Sequence, residues 1–270
     1  MQYGYKHTCF NCFRHRYPPN DTRVSNGKLM SEMSLKPMFA NVAKKYDLLN
    51  RILTVGLDET WRDTCARKCS RGDTIVDLCC GTGDLSLHIL KYAGPRALVV
   101  GVDFSKAMLR RAVGKVHAEQ IKQLDSVTDG PEVNFVIADA SRLPFKDGVV
   151  DSIGISFSLR NLVYRSLQAE TRLKEVSRTL KPNGRFVCVE TSQPRLRPVR
   201  ALYHLYLMRV VPFVGWLVSR RKNEYNYLGA SAANFPPADE IADKLLKAGF
   251  RRVSFRRLAL GAIALHISSK

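Results

Sequence analysis

The sequence predicts an α/β fold: a mostly parallel, doubly wound sheet with helices on both faces and an antiparallel strand near the C-terminal end. Three observations carry that reading. Short β-branched runs at residues 74–78, 97–102, 133–138, 150–156 and 185–190 alternate with helix-periodic stretches, the pattern of a parallel sheet covered on both sides. The run Ile75-Val76-Asp77-Leu78 leads straight into Cys79-Cys80-Gly81-Thr82-Gly83-Asp84, a strand, a tight glycine turn and the start of a helix. Two later runs, Val99-Val100-Gly101-Val102-Asp103 and Phe135-Val136-Ile137-Ala138-Asp139, also end in an acid. Acids at successive strand ends face the edge where open α/β sheets bind their ligands.

In chain order, residues 1–34 are polar and irregular and read as a poorly ordered extension. His7, Cys9, Cys12 and His15 offer four zinc-ligand types there, but their spacing is too short for the usual structural sites. No metal is therefore assigned, and Met30 and Met33 are alternative start positions. Residues 35–270 form one domain. Its first part, 35–70, is a helical cap at one end of the sheet, with Phe39, Val42, Tyr46, Leu49 and Leu53 at three-to-four spacing. Helices follow Gly83 and Ser105 and occupy residues 166–180, where Lys181-Pro182-Asn183-Gly184 is a stop and turn. Residues 195–235 are a helical insertion. A helix over 239–248 ends at Gly249, and runs 251–257 and 262–268 pair antiparallel.

Composition sets outer bounds. At 270 residues and 45% hydrophobic content the chain can bury one sizeable core. The formal charge of +19 gives a positive surface that attracts nucleic acid, anionic lipid or acidic partners, without choosing among them. Seven cysteines, two of them adjacent in the glycine turn, do not make a secreted disulfide framework and point to a cytoplasmic setting. With no run of eighteen uninterrupted apolar residues and no N-terminal apolar leader, neither a membrane span nor a secretory signal is expected.

The turn selects its ligand by what it lacks. A dinucleotide turn needs a third glycine so that a helix can approach a pyrophosphate, yet Ser86 stands there and Asp84 would repel the anion. Asp77, Gly81, Gly83 and Asp103 suit instead a ligand with a ribose and a cationic amino acid end. S-adenosylmethionine has that character, and the pattern resembles the first two motifs of the Rossmann-like class I methyltransferases. Asp139 is placed to accept a bond from the adenine amino group, and Phe104 adjoins Asp103 in the same site.

From residue 38 onward the chain resembles the quinone-biosynthesis C-methyltransferases, which act on demethylmenaquinol or a ubiquinol precursor. The match rests on Phe39-Ala40-Asn41-Val42-Ala43-Lys44-Lys45-Tyr46-Asp47 with Asn50, on residues 57–62 with Trp61, on the turn 77–84, and on Leu143-Pro144-Phe145. Ile155-Ser156-Phe157-Ser158-Leu159-Arg160-Asn161 is its most telling segment. Glu190-x-Ser192-x-Pro194, Tyr227-Leu228-x-x-Ser231, Phe235-Pro236 and the segments 248–250 and 264–266 extend it. The resemblance implies that Thr82, Asp103, Asp139, Ala140 and Ser156 contact S-adenosylmethionine. Two positions depart from the pattern: Asp139 stands where the family commonly has Asn, and Ser158 where it often has Gly.

Methylating a quinol ring carbon requires alignment of carbon and sulfonium methyl at about 3–3.5 Å, exclusion of water, a stabiliser of oxyanion character and a base. Arg160, beyond the fourth strand, suits the stabilising role; the alternative is a salt bridge to Asp47 that pins the N-terminal helix. Tyr46 and Asp47 either cover the cofactor and serve the proton path or act in capping and packing. His266 is a base or a structural histidine.

Residues 195–222 hold seven Lys or Arg and no acid, interleaved with Leu202, Tyr203, Leu205, Tyr206, Phe213 and Trp216. Arg209 and Pro212 interrupt the stretch too early for a span, so it reads either as an interfacial helix guiding a prenyl tail at an anionic membrane, or as a helix packed on the sheet or on a second subunit of a homodimer. A nucleic-acid methyltransferase is disfavoured: no N/D-P-P-Y/F tetrapeptide, no Pro-Cys nucleophile and no RNA module is present. Another lipid or phenolic acceptor is the stronger rival.

Overall fold

Ile75 and Val76, neighbours on β1 (Thr74–Leu78), point to opposite faces of the sheet, and both are fully buried. A strand that is dry on both sides needs cover on both sides, which alternating helices supply. The computed structural model describes residues 46–122, 130–164, 166–219 and 222–270. Before β1 come α1 (Tyr46–Thr54) and α2 (Leu57–Cys69), and after it α3 (Asp84–Leu90), β2 (Leu98–Asp103), α4 (Lys106–Lys122), β3 (Glu132–Ile137) and β4 (Val150–Ser156). Next are α5 (Leu159–Val163), α6 (Ala169–Thr179), β5 (Leu180–Thr191), α7 (Arg197–Leu205), a π-helical turn (Tyr206–Val210), α8 (Val211–Ser219) and α9 (Lys222–Ala233). Then α10 (Ala238–Lys247), β6 (Arg252–Leu258) and β7 (Ile263–Ser269) complete the chain. The extension 1–34, its cysteine and histidine residues, and the front of the cap with Phe39 and Val42 lie outside the described residues.

The seven strands run in the order β3-β2-β1-β4-β5-β7-β6. β1 to β5 are parallel, and β7 enters antiparallel between β5 and β6. This is the doubly wound arrangement expected from the alternation, with the order reversing at β1 and β4, where a ligand crevice opens. On one face Val76, Val100, Ile153 and Phe186 pack with Leu173 and Val176 of α6 and Ile241 and Leu245 of α10. On the other, Ile75, Val99, Val187 and Leu265 pack with Cys65, Ala66 and Cys69 of α2 and with Leu85 and Ile89 of α3.

Three local features differ from the sequence expectation. The stretch read as one helical cap is broken at Val55 and Gly56, both left-handed (φ 52° and 77°), and α2 lies across β4 and β5 rather than at one end of the sheet. The Lys181-to-Gly184 turn lies inside β5: Leu180 already pairs with Val150, Asn183 turns the chain at φ 64°, and parallel pairing resumes where Arg185 meets Ser152. The insertion, finally, is not ended by Pro212. Residues 197–218 form one helical stretch long and apolar enough, by length and composition, to cross a membrane. Proline lacks an N–H and its ring crowds the carbonyl four residues earlier, here Met208; that carbonyl sits in the wider π turn, which removes the conflict.

The insertion has its own small core. Leu207, Val211, Tyr225 and Ala232 enclose Leu49 of α1 and Met108 of α4, and Met108 lies five residues past Asp103. This packing sets α1 and the insertion beside the carboxyl ends of the parallel strands.

Candidate active site

The glycine turn is built on two left-handed residues with different surroundings. At Gly83 (φ 84°) an added Cβ would lie 3.0 Å from Ala112 Cβ, so the turn is pressed against α4. At Gly81 (φ 56°) it would meet nothing within 4 Å. The chain thus bares its backbone toward open space at one position only of the pair. Gly81 donates its N–H to Asp103 Oδ2 at 3.0 Å, and Ser105 donates to Oδ1 at 2.8 Å, which fixes the acid at the end of β2 against the turn.

Asp77 is 1% exposed. Ser86 donates its hydroxyl to Asp77 Oδ2 at 2.6 Å, while Oδ1 is buried without a hydrogen-bond partner among the described residues. Burial, reinforced by Asp103 and Asp84 and opposed by the Ser86 bonds, pushes its pKa up to about 7. Burial likewise raises Asp103, against the pull of its backbone bonds, and holds the Cys79 and Cys80 thiols well above their ordinary range. Those thiols are therefore poor nucleophiles and poor metal ligands.

Thr82 donates to Asp47 Oδ1, and Lys115 of α4 bridges Asp47, Thr82 and Asp84. Asp139 follows β3 by two residues, is exposed, and accepts the Ser141 N–H and hydroxyl at 2.8 and 2.7 Å; Ala140 beside it is buried. Phe104 is half-buried next to Asp103, and Ser156 is the half-buried last residue of β4. Beyond it Phe157 is left-handed (φ 54°), held by its N–H to the Val189 carbonyl at 2.8 Å, by the Trp61 ring and by the Arg62 guanidinium 5.3 Å from its ring. Ser158 then donates to the Cys79 carbonyl at 3.4 Å, joining the β4 loop to the glycine turn. Tyr46 is the first residue of α1.

Arg160 does not pair with Asp47. Its side chain is 5% exposed, and Nη1 donates to Glu190 Oε1 at 3.3 Å and to Thr191 Oγ1 at 3.0 Å; the salt-bridge alternative is corrected to Glu190, because Lys115 and Thr82 already occupy both oxygens of Asp47. Arg160 Nε is buried with no hydrogen-bond partner among the described residues. Tyr203 and Tyr227 lie within reach of the Arg160 charge, which opposes the rise that burial imposes on both phenols. His266 belongs to the sheet: it is buried at β7, Nε2 donates to the Ala238 carbonyl at 2.8 Å, and burial lowers its pKa.

Sequence reasoning assigned no role to Glu190 or Lys115. Glu190 had a signal, an acid closing the apolar run 186–189 of a central strand. Lys115 had none, since only the packing of α4 turns it toward Asp47. Among the described residues no group of three or more His, Cys, Asp or Glu could hold a metal ion.

The sequence matches the model of the ubiE/COQ5 methyltransferase family over residues 28–270. The chain belongs to this family. Relatives named demethylmenaquinone methyltransferase include those of Oceanobacillus iheyensis (36% identical, covering 86% of this chain and 93% of the relative) and Lactococcus lactis (35%, 89% and 91%). That of Staphylococcus aureus is 37% identical over 86% of this chain and 91% of its own. SAM-dependent methyltransferases of known structure from Thermotoga maritima (TM-score 0.56, 16% identity, 87% of this chain and 99% of that one) and Aquifex aeolicus (0.52, 18%, 85% and 97%) share the fold. The ubiE/COQ5 member described here is an S-adenosylmethionine-dependent methyltransferase. Its residues fit that cofactor: Asp77 Oδ1 is an unpartnered buried acceptor suited to an ammonium, and the open face of Gly81 admits a ligand against the backbone.

Proposed function

We propose that this enzyme methylates a ring carbon of a prenylated quinol, demethylmenaquinol, to give menaquinol. The single observation that carries the chemistry is Arg160: a guanidinium buried beyond the carboxyl end of β4, one arm fixed by Glu190, and Nε without a hydrogen-bond partner among the described residues. A buried guanidinium stabilises negative charge on a neighbouring quinol oxygen, and that charge makes the adjacent ring carbon nucleophilic; transfer would leave the sulfur as a neutral thioether and release that carbon's proton to water. Bound S-adenosylmethionine supplies an electrophilic methyl on a sulfonium. Asp77 would hold its ammonium, Asp103 with Phe104 its ribose, and Asp139 with Ala140 its adenine. Gly81, Thr82, Gly83 and Ser156 would shape the wall against which it lies. Tyr46 and Asp47, at the start of α1, would close the site from water. The names of the relatives support the quinol acceptor.

Residues 35–270 are assigned to one methyltransferase domain, with 35–70 as its helical cap and 195–235 as the acceptor-facing insertion; 1–34 are an extension. The insertion suits an enzyme that works from the cytoplasm at the inner face of a membrane. Its helix buries Leu207 and Val211 and exposes Leu202 (68%), Leu205, Phe213 (60%), Trp216 and Leu217, with Arg197, Arg200 and Arg209 around them and no acid along it. Such a face would rest on anionic lipid and receive a prenyl tail; contact with a second copy is its other use.

The test is incubation with isotopically labelled S-adenosylmethionine and demethylmenaquinone, reduced or oxidised, followed by mass analysis. Methylation of the reduced form alone is expected. Label in nucleic acid, or transfer indifferent to the redox state of the ring, overturns the proposal.

A further inference from the structure

Glu190 touches Arg160 at both of its ends. Oε2 accepts the Arg160 backbone N–H at 2.9 Å, and Oε1 lies 3.3 Å from the guanidinium Nη1. Thr191 completes the clamp: its N–H and hydroxyl both donate to Glu190 Oε1, at 2.8 and 3.0 Å, and its Oγ1 accepts from Nη1 at 3.0 Å. The carboxylate is 1% exposed and the arginine side chain 5%, so neither charge is answered by water. A long side chain normally samples several rotamers; one bonded at its root and its tip does not.

Removing two charges from water is costly, and an ion pair this deep repays the cost only when its remaining bonds are satisfied. For Glu190 they are, with four donors on two oxygens. For Arg160 they are not, since Nε is buried and unbonded among the described residues. The pairing with Glu190 and Thr191 thus uses only the Nη1 arm of the guanidinium. The strand supports the geometry, because Glu190 is paired in register with Ala264 on β7 near the end of β5 and cannot shift without moving the sheet.

We propose that Glu190 is a positioning residue for the methyl transfer: it anchors Arg160 by backbone and Nη1 so that the vacant side of the guanidinium faces the acceptor's oxygen. This rests on the quinol reading above only for the identity of the acceptor. The substrate class it requires is any ring hydroxyl that gains negative charge during reaction. Glu190 itself makes no contact with that ring and takes no proton.

The test uses E190D, which keeps the charge but shortens its reach, and T191V in the full chain, with 1-naphthol as a non-quinone probe bound in the presence of S-adenosylhomocysteine. Absorbance titration of the bound naphthol should give a midpoint below that of the free compound in the wild type, return toward the free value in E190D, and fall between in T191V. In parallel, kcat for demethylmenaquinol should fall about 100-fold in E190D, its acid limb moving to higher pH, with cofactor affinity unchanged. T191V removes only the bridging hydroxyl and carries the test should E190D fail to fold. Midpoints in the variants equal to wild type, or loss of rate with an unmoved acid limb, overturn the proposal. A wild type that shifts the naphthol yet leaves demethylmenaquinol unmethylated overturns the quinol assignment and leaves the role of Glu190 standing.

Discussion

Thr82 donates its hydroxyl to Asp47 Oδ1 at 2.6 Å, so the glycine turn and the first helix share a bond across the mouth of the site. Lys115 strengthens it, 2.6 Å from Asp47 Oδ2 and 3.1 Å from Thr82 Oγ1. A hydrogen bond to a charged group contributes about 1.5–3 kcal/mol. D47A should therefore lower the melting temperature by several degrees, the scale such a change has in a domain of this size. It should also weaken S-adenosylhomocysteine binding, read by calorimetry. Wild-type affinity in a destabilised D47A would show that α1 does not cover the cofactor.

Asp77 makes stability and ligand binding depend on pH. Its folded pKa of about 7 lies above the ordinary 3.8, so the folded state holds a proton that the unfolded chain has already lost between those values. The stability this group contributes is full below about 3.8 and is lost as pH rises through about 7. Melting curves from pH 4 to 8 should fall less steeply for D77N than for wild type. A ligand ammonium placed beside Asp77 favours the carboxylate, so S-adenosylhomocysteine binding at pH 6 should release a proton. Calorimetry in two buffers of different ionisation enthalpy detects that release, and an equal heat in both would remove Asp77 from the ammonium site.

The two turn glycines should separate folding from binding. G83A forces a Cβ to within 3.0 Å of Ala112 Cβ in a left-handed residue and should cost stability, of which about 1–2 kcal/mol is backbone strain alone. G81A pays a similar backbone cost but meets no atom, so it should fold nearly as well while its methyl intrudes where the ligand lies. The expected readout is cofactor affinity lost in G81A out of proportion to its melting temperature. Equal affinity in G81A and wild type would place the cofactor elsewhere.

Much of this was readable in the chain because it depends on local pattern. Strand-end acids, the glycine turn and the β/α alternation are each set by a few adjacent residues, and Asp77, Gly81 and Asp103 converge on one turn as their positions required. Partner choice was not readable, since it depends on which helix faces which. Arg160 and Asp47 looked equally able to pair until α4 brought Lys115 to Asp47 and the close of β5 brought Glu190 to Arg160. The break at Val55 and Gly56 was missed because a helical period continues on both sides of it. Pro212 misled because a π turn, which has no clear sequence signature, absorbs it.

That same π turn decides what the insertion presents to its surroundings. Helix 197–218 buries Leu207 and Val211 against α9 and α1 and leaves Leu205, Phe213, Trp216 and Leu217 outward, and the adjoining α1 also exposes Leu48 and Ile52. A one-sided apolar face on a helix with basic and no acidic residues binds an anionic bilayer by insertion plus charge, and only the second part is screened by salt. Sedimentation with phosphatidylglycerol vesicles should therefore fall, without vanishing, as salt is raised, and should be weak with phosphatidylcholine alone. The pair F213E and W216E should abolish binding in both while S-adenosylhomocysteine affinity stays at the wild-type value, because both side chains are exposed on the insertion. Vesicle binding by the double variant equal to wild type would move the membrane contact to another surface, and a wild type that binds no vesicle but dimerises through this face, with the variant monomeric, would assign the same apolar row to a second copy of the chain.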